Sequence, residues 1–230
     1  GDRVASCSGS DPAVRVWSLK TARAVRTLTA DKVTHFTAVA AAGDRVFATA
    51  NDRTVRAWAA DSDSDPTRFD TRADCRGLAV APDGARFVVG CTDRSVRLFD
   101  VATKAQLRST TADVIPWRLA VSPDGAWAAF GTTTGATLWN LGTGETRALA
   151  GAEKYVDGVA FTRNGKYVLG GSADRGLYTW EAATGRLVGR VADHTNFIRD
   201  VRLSPAGDRV VTSSTDGTGV VWQLPDSMVK

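Results

Sequence analysis

From Val210 to Trp222 the chain reads V-V-T-S-S-T-D-G-T-G-V-V-W, two strand-forming stretches on either side of an Asp-Gly turn. Successive side chains on a strand point to opposite faces, and Asp-Gly between two such stretches is a hairpin signal, so two paired strands are predicted. The second closes on a large aromatic ring. The same grammar holds from Thr54 to Ala59, where Val55, Ala57 and Ala59 share one face and Arg56 and Trp58 take the other. The closing ring recurs at Trp17, Trp58, Phe99, Trp139, Trp180 and Trp222, at intervals of 41, 41, 40, 41 and 42 residues. A period of about 40–45 residues with one aromatic-ended strand per period marks a radial β repeat.

The turns between strands repeat with the rings. Ala81-Pro82-Asp83-Gly84 and Ser122-Pro123-Asp124-Gly125 are hairpin corners, with weaker copies at Arg163-Asn164-Gly165 and Ser204-Pro205-Ala206-Gly207. Proline presets φ at the first turn position and glycine accepts positive φ at the last. A second corner falls at Asn51-Asp52-Arg53, Thr92-Asp93-Arg94, Ala173-Asp174-Arg175 and Thr215-Asp216-Gly217, where the Asx side chain bonds its own following backbone. A third, at Thr103-Lys104, Gly142-Thr143-Gly144 and Thr184-Gly185-Arg186, turns the chain after the ring. Three corners per period predict four antiparallel strands. In the second period these are expected to begin with Val33–Val39, followed by Val46–Ala50 and Thr54–Trp58.

The two ends depart from the pattern. Gly1-Asp2-Arg3-Val4 matches Gly43-Asp44-Arg45-Val46 and Gly207-Asp208-Arg209-Val210, which begin a second strand, so the first unit lacks its inner strand. After Trp222 only Leu224 to Lys230 are left for an outer strand. The expectation is a six-repeat segment of a longer polypeptide whose flanking parts complete the ring. The repeats run approximately over 1–30, 31–72, 73–112, 113–152, 153–194 and 195–230, and the unbroken period argues for one domain over 1–230.

Composition narrows the chemistry. With 43% hydrophobic and 23% charged residues, the chain has the makings of a sizeable core. Its 29 basic and 25 acidic residues are interleaved, giving a net charge of +4 without the basic stripe that nucleic-acid binding favours. No stretch approaches the ~20 apolar residues of a membrane span. Cys7, Cys75 and Cys91 form no C-x-x-C pair and have only His35 and His194 for company, so neither a zinc site nor a disulfide framework is expected. Buried free thiols are the expectation, and they lean toward a reducing, cytoplasmic setting. The acidic loop Asp61-Ser62-Asp63-Ser64-Asp65-Pro66 lacks the glycine and distal glutamate of a calcium loop and is expected to be a solvated insertion.

The repeating frame, a x-V-A-F-S-P-D-G-like corner, a small-residue strand, an S-x-D-x-x-V-R-L-W-D-like hairpin and then x-T-G, resembles the WD40 family of β-propellers over the whole chain. Phe99-Asp100 stands at the family's Trp-Asp position; the other repeats carry Trp17-Ser18, Trp58-Ala59, Trp139-Asn140, Trp180-Glu181 and Trp222-Gln223. The resemblance implies an all-β propeller of six recognisable four-stranded repeats, the first and last incomplete, within a ring of six or seven blades. It also implies a buried network in which a histidine, a small hydroxyl residue, the turn aspartate and the tryptophan are hydrogen-bonded. Only the last repeat carries the full set, His194, Asp216, Trp222 and one of Thr212 or Ser214. Asp31 and Ala152 stand near the histidine position elsewhere, so the other blades are expected to rest on apolar packing and turn chemistry and to be softer.

Function is expected to be non-catalytic. The resemblance implies a protein–protein interaction platform, a module of a larger bacterial signalling or regulatory protein; the Ala-, Arg-, Asp- and Thr-rich composition bears only on the bacterial source, toward which it leans. The alternative is a propeller enzyme or small-ligand binder using the axial channel. The inner-strand positions are chiefly Ala, Val, Leu and Phe, including Ala79, Ala120 and Ala160, and offer no Ser/His/Asp or paired-carboxylate constellation. No cofactor, metal, nucleic acid or membrane is expected, and the partner is a protein or peptide. Family proteins commonly bind on the face formed by the loops that lead into the inner strands. Here those loops carry Arg76, Ile115, Trp117, Tyr155, Asp157, Phe197 and Arg199, rich in the residue types of interface hot spots. Trp117 is the sharpest candidate, because other repeats carry the polar residues Arg76, Asp157 and Arg199 at its position, and a position that is otherwise polar is expected to be exposed to water.

Overall fold

Strand alternation and turn chemistry resolve into 22 strands in six antiparallel sheets in the computed structural model, which describes residues 2–59, 61–62 and 64–229. The first sheet holds β1 (Arg3–Ser6), β2 (Ala13–Ser18) and β3 (Arg23–Thr29), and the second holds β4 (Phe36–Ala42), β5 (Arg45–Ala50), β6 (Thr54–Ala59) and β7 (Thr67–Asp70). The third comprises β8 (Cys75–Val80), β9 (Arg86–Cys91), β10 (Ser95–Asp100) and β11 (Gln106–Thr111). The fourth comprises β12 (Leu119–Val121), β13 (Trp127–Thr132), β14 (Gly135–Asn140) and β15 (Thr146–Ala150). The fifth is built from β16 (Val156–Phe161), β17 (Tyr167–Ser172), β18 (Gly176–Glu181) and β19 (Leu187–Ala192), and the sixth from β20 (Ile198–Leu203), β21 (Arg209–Ser214) and β22 (Gly219–Gln223). Every sheet is a meander, as hairpin corners require.

The rings are the mortar between sheets, and they all point the same way. Trp58 packs with Val14 and Val16 of the first sheet, Phe99 with Phe47 and Val55 of the second, Trp139 with Val88 and Leu98 of the third, and Trp180 with Leu138 of the fourth. Trp222 likewise joins Leu169 and Leu177 of the fifth. The four central rings are fully buried, whereas Trp17, which has no preceding sheet to pack on, and Trp222 are half-buried. The opposite open face, on the sixth sheet, leaves Val211 42% and Val221 62% exposed. Extensive packing links each sheet to the next from the first to the sixth, but does not link the sixth back to the first among the described residues.

Near the axis, glycine matters more than the expected alanines. A Cβ at Gly131 would lie 1.8 Å from the Val156 carbonyl oxygen of the next sheet, and one at Gly158 would lie 2.7 Å from the Asp200 Cα. Ala79 and Ala160 are buried, but backbone meets backbone at the glycines.

Three expectations are corrected. Cys75 and Cys91 are not free thiols: they form a disulfide, and only Cys7 is free. They are direct cross-strand partners in the β8–β9 register, a proximity that their separation of 16 residues does not reveal. The thiol-based leaning toward a reducing compartment lapses with that bond. The segment after Trp222 forms no outer strand; Asp226–Val229 is a short helix, following Pro225, and Met228 and Val229 pack back on the sixth sheet's core. The inner strand of the second sheet begins at Phe36, because Asn51 Oδ1 accepts hydrogen bonds from the Thr34 and His35 backbone amides and holds that stretch as an approach loop. In the acidic loop, Asp63 lies outside the described residues, while Asp61 pairs with Arg3 at 2.6 Å and the Ser62 carbonyl accepts from Arg26, so the loop clasps the first sheet.

Candidate functional site

The turn aspartates come first, since they decide what is structural. In the sixth repeat His194, 5% exposed, presents Nε2 to Thr212 Oγ1 at 2.7 Å and Nδ1 to Asp216 Oδ2 at 3.0 Å, and Trp222 Nε1 donates to Thr212 Oγ1 at 2.9 Å. Thr212 is thus the hydroxyl member; Ser214 donates instead to the Asn196 carbonyl. The Thr218 hydroxyl, with the Thr218 and Thr195 amides and His194, holds the Asp216 carboxyl far below the ordinary carboxylate range against the opposing effect of burial. A depressed carboxyl contributes stability that is present above its unfolded value of about 3.9 and lost as pH falls through the folded one. Stability is therefore expected to decline in acid below about pH 4, and Asp216→Asn should flatten that decline in acid unfolding followed by circular dichroism. His194→Ala should cost about 1–3 kcal/mol by breaking the buried network while leaving partner binding unchanged.

The other repeats are not left to apolar packing and turn chemistry, and here the sequence-based expectation is corrected. The aspartate pairs with the residue four places on, across the hairpin: Asp11 with Arg15, Asp52 with Arg56 at 2.7 Å, Asp93 with Arg97 at 2.6 Å, and Asp174 with the Tyr178 hydroxyl at 2.8 Å. Tyr178 also stacks on Trp180 with centroids 5.6 Å apart, and its hydroxyl makes with Asp174 Oδ2 the contact that His194 makes with Asp216 Oδ2 in the sixth repeat. In the fourth repeat the polarity is reversed, and Thr133 donates to Asp113. For the first three repeats the signal was in the sequence as D-x-x-x-R before Trp17, Trp58 and Phe99, but it reads there as interleaved surface charge.

Apart from those groups, a cluster of charged and aromatic residues gathers at the mouth of the axial channel. First strands of four sheets converge on a cavity of about 210 Å³, lined by Thr37 and Val39 of β4, Arg76 and Leu78 of β8, Trp117, Arg118 and Leu119 at β12, and Asp200 and Arg202 of β20. Trp117 is 45% exposed. Its backbone is nonetheless firmly seated: Trp117 N donates to the Ile115 carbonyl, and Pro116 is buried against two glycines of the third sheet, where a Cβ at Gly90 would meet the Pro116 carbonyl oxygen at 2.1 Å and one at Gly77 would meet it at 2.4 Å. A large aromatic is thus held in water by a rigid base.

Of the seven residues proposed from sequence, the structure brings Arg76 and Trp117 into this cavity. Arg199, Asp157, Tyr155 and Phe197 form an adjoining group: Arg199 Nη1 lies 3.2 Å from Asp157 Oδ2 and 3.3 Å from the Tyr155 hydroxyl, and Tyr155 meets Phe197 edge-on at 6.2 Å. Ile115 is half-buried and serves the turn below Trp117. Burial pushes the Asp157 carboxyl above its ordinary value, although Arg199 and Arg118 oppose the shift. Arg118, Asp200 and Arg202 were missed as site members, because one strand step moves a residue to the other face and the register that turns them toward the axis is not written locally. Arg118 Nε lies 3.7 Å and Arg202 Nη2 3.2 Å from the Asp200 carboxylate.

The family model for "WD domain, G-beta repeat" matches residues 68–100, 144–181 and 185–223. The chain is 28% identical over 140 residues to an uncharacterized WD repeat-containing protein of Synechocystis sp., an alignment covering 60% of this chain and 40% of that one. It is 25% identical over 146 residues to transcription initiation factor TFIID subunit 5 of Caenorhabditis elegans, covering 63% and 22% of the two chains. It is 24% identical over 183 residues to autophagy-related protein 16 of Arabidopsis thaliana, covering 77% and 36%. The chain spans 40% or less of the length of each of these relatives. The chain thus carries three detected WD40 repeats within six meander sheets joined ring to face, an arrangement consistent with the blades of a WD40 propeller.

Proposed function

We propose that this chain is a non-catalytic platform that holds a protein or peptide partner on its channel-mouth face, and that it serves as a module of a larger bacterial signalling or regulatory polypeptide whose flanking parts complete the ring. WD40 repeats generally mediate protein–protein interaction. The observation that carries the reading is Trp117, an exposed indole on a fixed backbone beside arginines, the combination of large contact area and polar handles enriched at interface hot spots. The exposed Val211 and Val221 face and the half-buried Trp17 support completion of the ring by further chain.

Trp117→Ala is expected to weaken binding of a partner isolated by affinity capture by about 2 kcal/mol or more in calorimetric titration, with thermal unfolding unchanged. Unaltered affinity would move the partner to another face. A lowered melting temperature with unaltered affinity would make the ring a packing element.

A further inference from the structure

Charge at the channel mouth does not balance. Arg76, Arg118, Arg199 and Arg202 present four guanidiniums, and the acidic groups facing them are Asp157 and Asp200. Asp157 is taken by Arg199, and Asp200 is shared between Arg118 and Arg202. Asp74, two residues before Arg76, is drawn toward Arg53 at 3.7 Å. Arg76 itself makes no hydrogen bond or ion pair with the described residues, although it is only partly exposed and borders the cavity. A guanidinium donates five hydrogen bonds in a planar fork and loses water when partly buried, so an unpaired one beside a cavity is a site for a planar anion.

We infer that the channel mouth recognises an acidic peptide segment, with one carboxylate seated on Arg76, a second on Arg118 and Arg202, and an apolar residue between them lying on the Trp117 ring. This rests on the platform reading given above and names the chemistry of its partner. Carboxylates match the fork of a guanidinium in a bidentate geometry. A nucleic-acid backbone fits less well, because its evenly spaced phosphates would run over Asp157 and Asp200, whereas separate carboxylates fall between them. The cavity also reaches Val39, Leu78 and Leu119, apolar side chains that suit the flank of a peptide rather than a sugar–phosphate chain.

The test is selection of a random 12-residue peptide display library on the chain, followed by fluorescence-anisotropy titration of the most enriched synthetic peptide. Enriched sequences are expected to carry at least two Asp or Glu residues around an apolar one. Replacing the peptide's Glu and Asp by Gln and Asn, or Arg76→Gln in the chain, should each weaken binding about tenfold or more, with Arg76→Lys intermediate because it keeps charge but not the fork. Added salt should weaken binding as well. Circular dichroism of Arg76→Gln checks that the fold is intact; Arg202→Gln, 60% exposed in its side chain, gives the same readout independently. Selected peptides without acidic residues that still lose affinity on Trp117→Ala would overturn the acidic specificity and leave the platform standing. Peptides indifferent to Trp117→Ala would overturn both. Tighter binding of a single-stranded oligonucleotide than of any selected peptide, lost on Arg76→Gln, would assign the mouth to nucleic acid instead and overturn the inference.

Discussion

Replacing Trp180 by alanine is expected to lower the unfolding free energy by about 3–5 kcal/mol. The ring is 0% exposed, stacks on Tyr178, and donates from Nε1 to the Ala150 carbonyl at 2.8 Å. It joins the fourth and fifth blades in one cluster with Leu138, Val156 and Val168. The space it fills cannot be refilled from within the blade, because Gly170, whose Cβ would sit 2.6 Å from Trp180 Cζ3, has no side chain to move inward. Truncation therefore leaves a cavity between two rigid sheets and an unpaired carbonyl. Trp17 occupies the same position in the first repeat but faces no preceding blade and is half-buried, so Trp17→Ala should cost about 1 kcal/mol or less in lost burial. Urea unfolding of both variants, followed by circular dichroism, checks the contrast. Equal losses would show that the closing rings stabilise their own blades rather than the joints between them.

Gly90→Ala is expected to lower stability by about 1–3 kcal/mol, the cost of forcing atoms into a filled space, and to weaken partner binding at the same time. The new methyl would lie 2.1 Å from the Pro116 carbonyl oxygen and 2.7 Å from its Cγ. Backbone and a proline ring cannot rotate out of the way, so the loop under Trp117 must lift from the third blade. The substitution touches no residue of the binding face, yet moves the indole and its neighbour Arg118. Gly189→Ala is the control: it lies in the outer strand β19, and its methyl would meet only Thr179 Cβ, at 3.9 Å. Thermal unfolding and peptide titration on both variants decide the matter. A destabilised Gly90→Ala that binds at full strength would mean that Trp117 is positioned from above, by contacts with the partner, and not by the blade beneath it.

Much of the architecture was legible because it is local. The 41-residue rhythm of rings, the Pro-Asp-Gly corners and the alternation from Thr54 to Ala59 each depend on residues within one hairpin, and strand periodicity and turn chemistry act over that range. The same locality explains the positive φ of Arg53, Arg94 and Arg175, which follow the turn aspartate where the sixth repeat has Gly217. The role of His194 was legible only through the resemblance to the WD40 family, which implies Asp216, Trp222 and a small hydroxyl residue as its partners. Tertiary structure decided the rest. Cys75 and Cys91 became a bond through the register of two strands, and Asp174 took the Tyr178 hydroxyl as a partner in a repeat that has Ala152 near the histidine position. Arg118 and Asp200, from the fourth and sixth repeats, share a cavity only because the first strand of each blade is turned toward one axis. Nothing near either residue in the chain encodes that meeting, since each repeat specifies its own sheet while the identity of the groups that gather at the channel mouth depends on all the sheets being packed at once.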